Sequence, residues 1–170
     1  MSLFQAAVPP AIQALSALRG ILVKGEAHCV ARKIDPAVLL GTRLALDMLP
    51  LSRQVQIATD MVKNGAARLA GVEPPSFPDV ETSFSELDGR IERVIGYISS
   101  MSPAAIDGSE GRDITLKLGG REVRFLGLPY LTGFVLPNLY FHVTATYLIL
   151  RSAGVELGKM DFLGDMPVVR

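Results

Sequence analysis

From Phe125 to Leu150 the chain carries no Asp, Glu, Lys or Arg, and this run exceeds the roughly 20 residues that a membrane-spanning helix needs. A stretch of that kind has two homes, lipid or the middle of a packed helical protein. It contains Pro129, Thr132, Gly133, Pro137, Asn138, His142, Thr144 and Thr146, which hydrocarbon leaves unsatisfied unless another span pairs with them. No second span is evident, so the stretch reads as a core helix and no membrane partner is expected.

The rest of the chain must then supply the helices that bury it. Apolar residues make up 49% of the 170 residues, enough for one continuous core, so residues 1–170 are read as a single domain. Seventeen basic side chains balance seventeen acidic ones, and the arginines are scattered, so nucleic acid is not an expected partner. Cys29 is the lone cysteine and the first residues lack the basic flank and apolar run of a secretory signal. Together these point to the reducing cytoplasm.

Four helices are predicted. Phe4, Val8, Ala11, Ile12, Leu15, Leu18 and Leu22 recur at steps of three and four and mark helix one. Pro9 and Pro10 either open it or sit in a helix that starts earlier and bends. Asp35 and Pro36 form a start signal. The stripe Leu39, Leu40, Leu44, Met48, Leu51, Val55, Ala58, Met61 and Val62 then predicts one helix of roughly 35 residues ending at Gly71.

A proline-rich crossover follows from Val72 to Thr82. Ser83 and Glu86 form a capping box for helix three, with Phe84, Leu87, Ile91, Val94, Ile95 and Ile98 on its stripe. Ile114, Leu116 and Leu118 alternate with polar residues, Gly119-Gly120 makes a two-residue turn, and Val123 and Phe125 resume the alternation, which predicts a β-hairpin. The final helix occupies about Pro129 to Ala153 and stops at Gly154, and Val155 to Arg170 reads as a surface tail. These elements suit a mainly α four-helix bundle with up-down order and one long crossover.

Sites in bundles are built from polar side chains pointing inward from facing helices. Asn138 and His142 share a face of the last helix, and Asp47 sits in an otherwise uncharged stretch of helix two. Pro50 and Pro137 each remove a backbone hydrogen bond nearby. Asp47, Asn138 and His142 could hold a divalent metal with water completing the sphere. Alternatively they form a hydrogen-bond network in which Asp47 fixes the tautomer of His142 and Asn138 serves a freed carbonyl. Gln54 reads as a surface or core-edge residue, His28 as part of a solvated helix end, and Tyr130, Tyr140 and Tyr147 as packing residues.

Leu-Pro-Asn-Leu-Tyr-Phe-His at 136–142, Leu-Arg-Ser-Ala-Gly at 150–154, Leu-Asp-Met-Leu-Pro-Leu at 46–51 and Gly-Val-Glu-Pro-Pro at 71–75 resemble a bacterial domain-of-unknown-function branch of the DinB/YfiT-like superfamily. The resemblance implies a DinB/YfiT-like bundle. It also implies a metal held by one histidine of the second helix and two, four apart, of the last, in a thiol-transferase-like or related enzyme. His142 falls on the last of those positions, Asn138 on the one before, and Asp47 is the counterpart on helix two. With one histidine of three, the set favours a harder or more weakly held ion than zinc. Two functions stay open: a metal-dependent enzyme, or a non-enzymatic bundle that binds a small molecule or forms a homodimer.

Overall fold

The computed structural model describes residues 1–166. Four long helices form the bundle: α1 (Leu3–Arg32), α3 (Leu51–Ala70), α4 (Phe84–Ser99) and α7 (Leu136–Ser152). Around the bundle the order is α1, α4, α3, α7, with α1 and α3 on one diagonal. One core runs between them, including Leu15, Leu18, Leu51, Leu87, Ile91, Leu139 and Ile149.

Helix one begins early. Ser2 caps α1 at Leu3 in a capping box with Gln5, so Pro9 and Pro10 lie inside the helix. Helix four of the bundle is longer than α7 alone, because α6 (Gly127–Tyr130) and a π-helical turn (Leu131–Val135) run straight into it. The π turn closes with Leu136 N–H donating to the Leu131 carbonyl five residues back, immediately before Pro137, which has no amide to offer.

The predicted 35-residue helix two is broken, and this corrects the sequence reading. Asp35 caps a short α2 (Pro36–Leu40), its carboxylate accepting from the Ala37 amide at 2.9 Å. The chain then leaves the helix at Gly41 and resumes only at Leu51, after Pro50. Proline disfavours helical backbone in the residue before it and cannot donate. Residues 41–50 form a closed loop whose ends meet, with Leu51 N–H donating to the Thr42 carbonyl at 3.0 Å. Inside it, the Arg43 guanidinium donates to the Met48 carbonyl at 2.6 Å, as in a compact Ω-type loop.

Several local signals read from the sequence are present in the structure. Ser83 and Glu86 make the capping box of α4, and Gly71 ends α3 with φ +74. The hairpin pairs β1 (Asp113–Leu118) with β2 (Arg121–Leu126), and Ile114 faces Phe125 across it. Both glycines of its turn have positive φ. A four-residue helix, α5 (Pro103–Ile106), precedes the hairpin. Past Gly154 the tail buries Val155 and Leu157 and forms α8 (Lys159–Leu163), which packs on α1; residues 167–170 of the predicted tail lie outside the described residues.

Two helical segments, α1 and Gly127–Ser152, are long and apolar enough to cross a membrane; 50% and 44% of their most apolar windows are buried within the bundle. The sequence reading found only the second. Its polar groups are served from within the protein: Thr132 and Thr146 hydroxyls donate to the Leu128 and His142 carbonyls at 3.0 and 2.9 Å.

Candidate functional site

His142 is turned inward by the core helix, as is Thr146 one turn on, and His142 is 9% exposed. Its Nδ1 lies 2.7 Å from Oε1 of Gln54 on α3. Gln54 is itself buried, and its Nε2 donates to the Leu49 carbonyl at 2.9 Å. That second bond orients the amide, since only its nitrogen end can donate to a carbonyl. The oxygen end therefore faces the imidazole, so Nδ1 carries the proton and Nε2 keeps its lone pair. Burial pushes the His142 pKa down from its ordinary value, because the charged form loses hydration. The result is a neutral, oriented imidazole with an accepting nitrogen. Its ring meets the exposed Phe141 edge-on at 5.1 Å between centroids.

The other two residues singled out by the sequence stand differently. Asp47 is exposed in the turn of loop 41–50, outside any helix; the carboxylate expected to fix the His142 tautomer is replaced in that role by Gln54. Asn138 is half-buried, and its amide donates to the Phe134 carbonyl in the π turn at 2.8 Å, not to the Gly133 carbonyl four residues before Pro137. Among the described residues no three His, Cys, Asp or Glu side chains gather into a set that could hold a metal ion.

Of the tyrosines, Tyr130 is buried and accepts from Arg68 at 3.0 Å. Burial raises its pKa, against the opposing effect of Arg68. Tyr147 packs edge-on against Phe162, and Tyr140 is exposed.

A second polar cluster escaped the sequence reading. Arg90 of α4 is fully buried, and all three of its guanidinium nitrogens have partners. Nε donates to the Thr59 hydroxyl at 2.8 Å. Nη1 donates to the Pro78 carbonyl and to Glu81 at 3.0 and 3.1 Å. Nη2 meets Asp60 and Asp79 at 2.9 and 3.0 Å. Lys63 is also buried and reaches Asp60 at 3.2 Å and the Phe77 ring at 4.9 Å. This cluster staples the proline-rich crossover to α3 and α4. Its donors and acceptors are consumed by one another, which makes it architecture rather than a binding site.

Comparison with known proteins follows the same lines. Residues 3–163 match the family model described as "Domain of unknown function (DUF1993)". The chain is similar to a solved DinB family member protein from Shewanella denitrificans, with 39% sequence identity, a TM-score of 0.88, and coverage of 99% of this chain and 95% of that one. No curated protein matches.

Proposed function

The chain belongs to the DUF1993 family within the DinB-like proteins, and from that premise we propose that it is a non-enzymatic interaction bundle that works as a homodimer. The observation that carries this reading is the apolar ledge beside His142. Leu46 is 99% exposed in a loop that is otherwise closed and hydrogen-bonded. Leu44 and Leu49 in the same loop and Phe141 on α7 are exposed as well. The Gln54 bridge from the Leu49 carbonyl to His142 brings the loop against α7.

A leucine side chain forgoes roughly 1.5–3 kcal/mol when it stays in water instead of being buried. Monomeric proteins rarely group several such side chains on one face. A patch made by one loop and one helix can meet its own copy across a two-fold axis. A cytoplasmic location, expected from the lone buried Cys29, accompanies this reading.

Sedimentation velocity on the full chain tests it. The wild type is expected to sediment as a dimer, and Leu46→Asp combined with Phe141→Asp as a folded monomer. A wild type that stays monomeric at about 100 μM, or a dimer indifferent to both substitutions, ends the proposal.

The alternative is a metal-dependent enzyme of the DinB-like type, and the lone pair on His142 Nε2 favours it. In that reading His142 Nε2 would supply one ligand, Asp47 would have to swing in from the exposed loop 41–50, and the metal would polarise water or a thiol. The two bundled readings separate by metal content of protein purified without a tag, and by whether manganese, zinc or nickel raises the Tm of the wild type but not of His142→Ala.

A further inference from the structure

The His142 region leaves the opposite stretch of α1 unexplained, where its last turns meet the chain leaving α7. A cleft of about 630 Å³ opens there between α1 and residues 154–156. Ala27, Ala31 and the buried Val155 give it an apolar lining. Lys24, His28 and Arg32 also line it; they are spaced four apart and so share one face of α1. Glu156 lines it from the other side.

The three basic residues are not equivalent. Lys24 is held by Asp161 at 2.6 Å. Neither His28 nor Arg32 has a side-chain hydrogen bond or an ion pair among the described residues. His28, read from the sequence as part of a solvated helix end, is half-buried. Its Cε1 lies 3.7 Å from where a Cβ on Gly154 would stand, and Gly154 has φ +91. The glycine turn therefore lets the chain pass close under the imidazole and shapes that wall.

We propose that this cleft binds a small organic oxyanion: one carboxylate or phosphate group on an apolar body. Arg32 and His28 contact the anion, and Ala27, Ala31 and Val155 receive the body. An unpaired guanidinium offers a planar fork suited to either oxyanion. An apolar lining with a few convergent polar groups is the common form of a small-molecule site. Glu156 repels a second anionic group, so a ligand with a single charged head fits and a dianionic chain does not. The proposal is independent of the dimer ledge, which lies on other residues.

Basic side chains near the end of α1 also meet its helix dipole, and a purely electrostatic capping role predicts a stability change on mutation with no ligand. Amide chemical-shift titration of the full-length labelled protein separates the two. Hexanoate and inorganic phosphate are the probes. Hexanoate is expected to give saturable shifts confined to residues near 24–32 and 154–157, and to bind more tightly than phosphate because only it uses the apolar lining. Arg32→Gln is expected to weaken hexanoate by roughly tenfold or more, while Arg124→Gln, on the hairpin, leaves it unchanged. Phosphate binding without hexanoate binding overturns the apolar body. Shifts that fail to saturate by about 50 mM, that spread over other basic surfaces, or that survive Arg32→Gln overturn the site.

Discussion

Arg90→Met removes one guanidinium and leaves the groups around it unequally served. Asp60 retains Lys63 at 3.2 Å, and Asp79 retains Arg53; both carboxylates are about a third exposed or less, 27% and 33%. Glu81 is the group left worst served, because its side chain is only 3% accessible. It keeps the Gln56 amide at 2.9 Å and the more distant Arg93 at 3.6 Å, whose own side chain is 60% exposed. Breaking a buried ion pair by deleting one partner costs about 3–5 kcal/mol. The surviving partners of Asp60 and Asp79 place this case near about 3 kcal/mol. For a chain of this size that corresponds to a fall in Tm of roughly 6–12 °C. Urea unfolding followed by circular dichroism measures it. Adding Glu81→Gln to Arg90→Met removes the stranded charge, so the double variant should recover part of the loss, on the order of 1–2 kcal/mol. A single variant within about 1 kcal/mol of wild type, or a double variant no more stable than the single, refutes the view that Arg90 is the hub.

Three further outcomes are expected. Gly65→Ala places a Cβ 2.7 Å from a methyl of Val135 in the π turn, so it should destabilise by about 1–3 kcal/mol, and Val135→Ala in the same chain should relieve most of it in a thermal melt. Wild-type stability should decline as pH falls below the ordinary histidine value of 6.5, because unfolding lets His142 take up a proton that its folded pKa resists; urea midpoints across that window should flatten in His142→Gln. Breaking the Arg19–Asp88 pair, bidentate at 2.6 and 2.8 Å and about a third exposed, with Asp88→Asn should cost no more than about 1 kcal/mol in the same assay.

Local signals were the ones that could be read in advance. The α4 capping box, the Asp35–Pro36 start, the Gly71 stop and the Gly119-Gly120 turn each depend on a few adjacent residues, so the chain announces them. The interruption after α2 was hidden because Leu44, Met48 and Leu51 fall on a helical period by coincidence, while its markers, Gly41 and Pro50, are each tolerated near helix ends. Arg90 had a readable signal that went unused. It stands three after Leu87 and four before Val94, on the edge of a stripe that is otherwise apolar, where a charge must find partners. The partners themselves come from the crossover and α3, and no local pattern announces them.

The site at His142 follows from the same interruption, and it yields the sharpest test. In an unbroken helix Asp47 and Gln54, one heptad apart, would both face α7 and a carboxylate could reach the imidazole. Pro50 prevents this: the chain leaves for residues 41–50, Asp47 turns to solvent, and the Leu49 carbonyl comes round to fix the Gln54 amide. The imidazole is thus held by a neutral acceptor in a buried place, and its pKa is lowered by burial. Gln54→Glu puts a carboxylate where the amide oxygen sits 2.7 Å from Nδ1, which favours the imidazolium and should move the His142 pKa upward. The pH dependence should then change sign. In the wild type the folded pKa lies below the unfolded one, and stability is lost as pH falls below 6.5. In the variant a raised folded pKa adds stability that is complete below the unfolded value and disappears as pH rises through the folded one. At pH 8 the variant should be the weaker protein, since it buries a carboxylate and gives up the bond to Leu49. Toward pH 5.5 the gap should narrow. Imidazole proton shifts, with His28→Gln to assign the two histidines, follow the titration directly. A His142 titration at the same pH in both proteins would show that Gln54 does not govern the ring, and the tautomer assignment would fall with it.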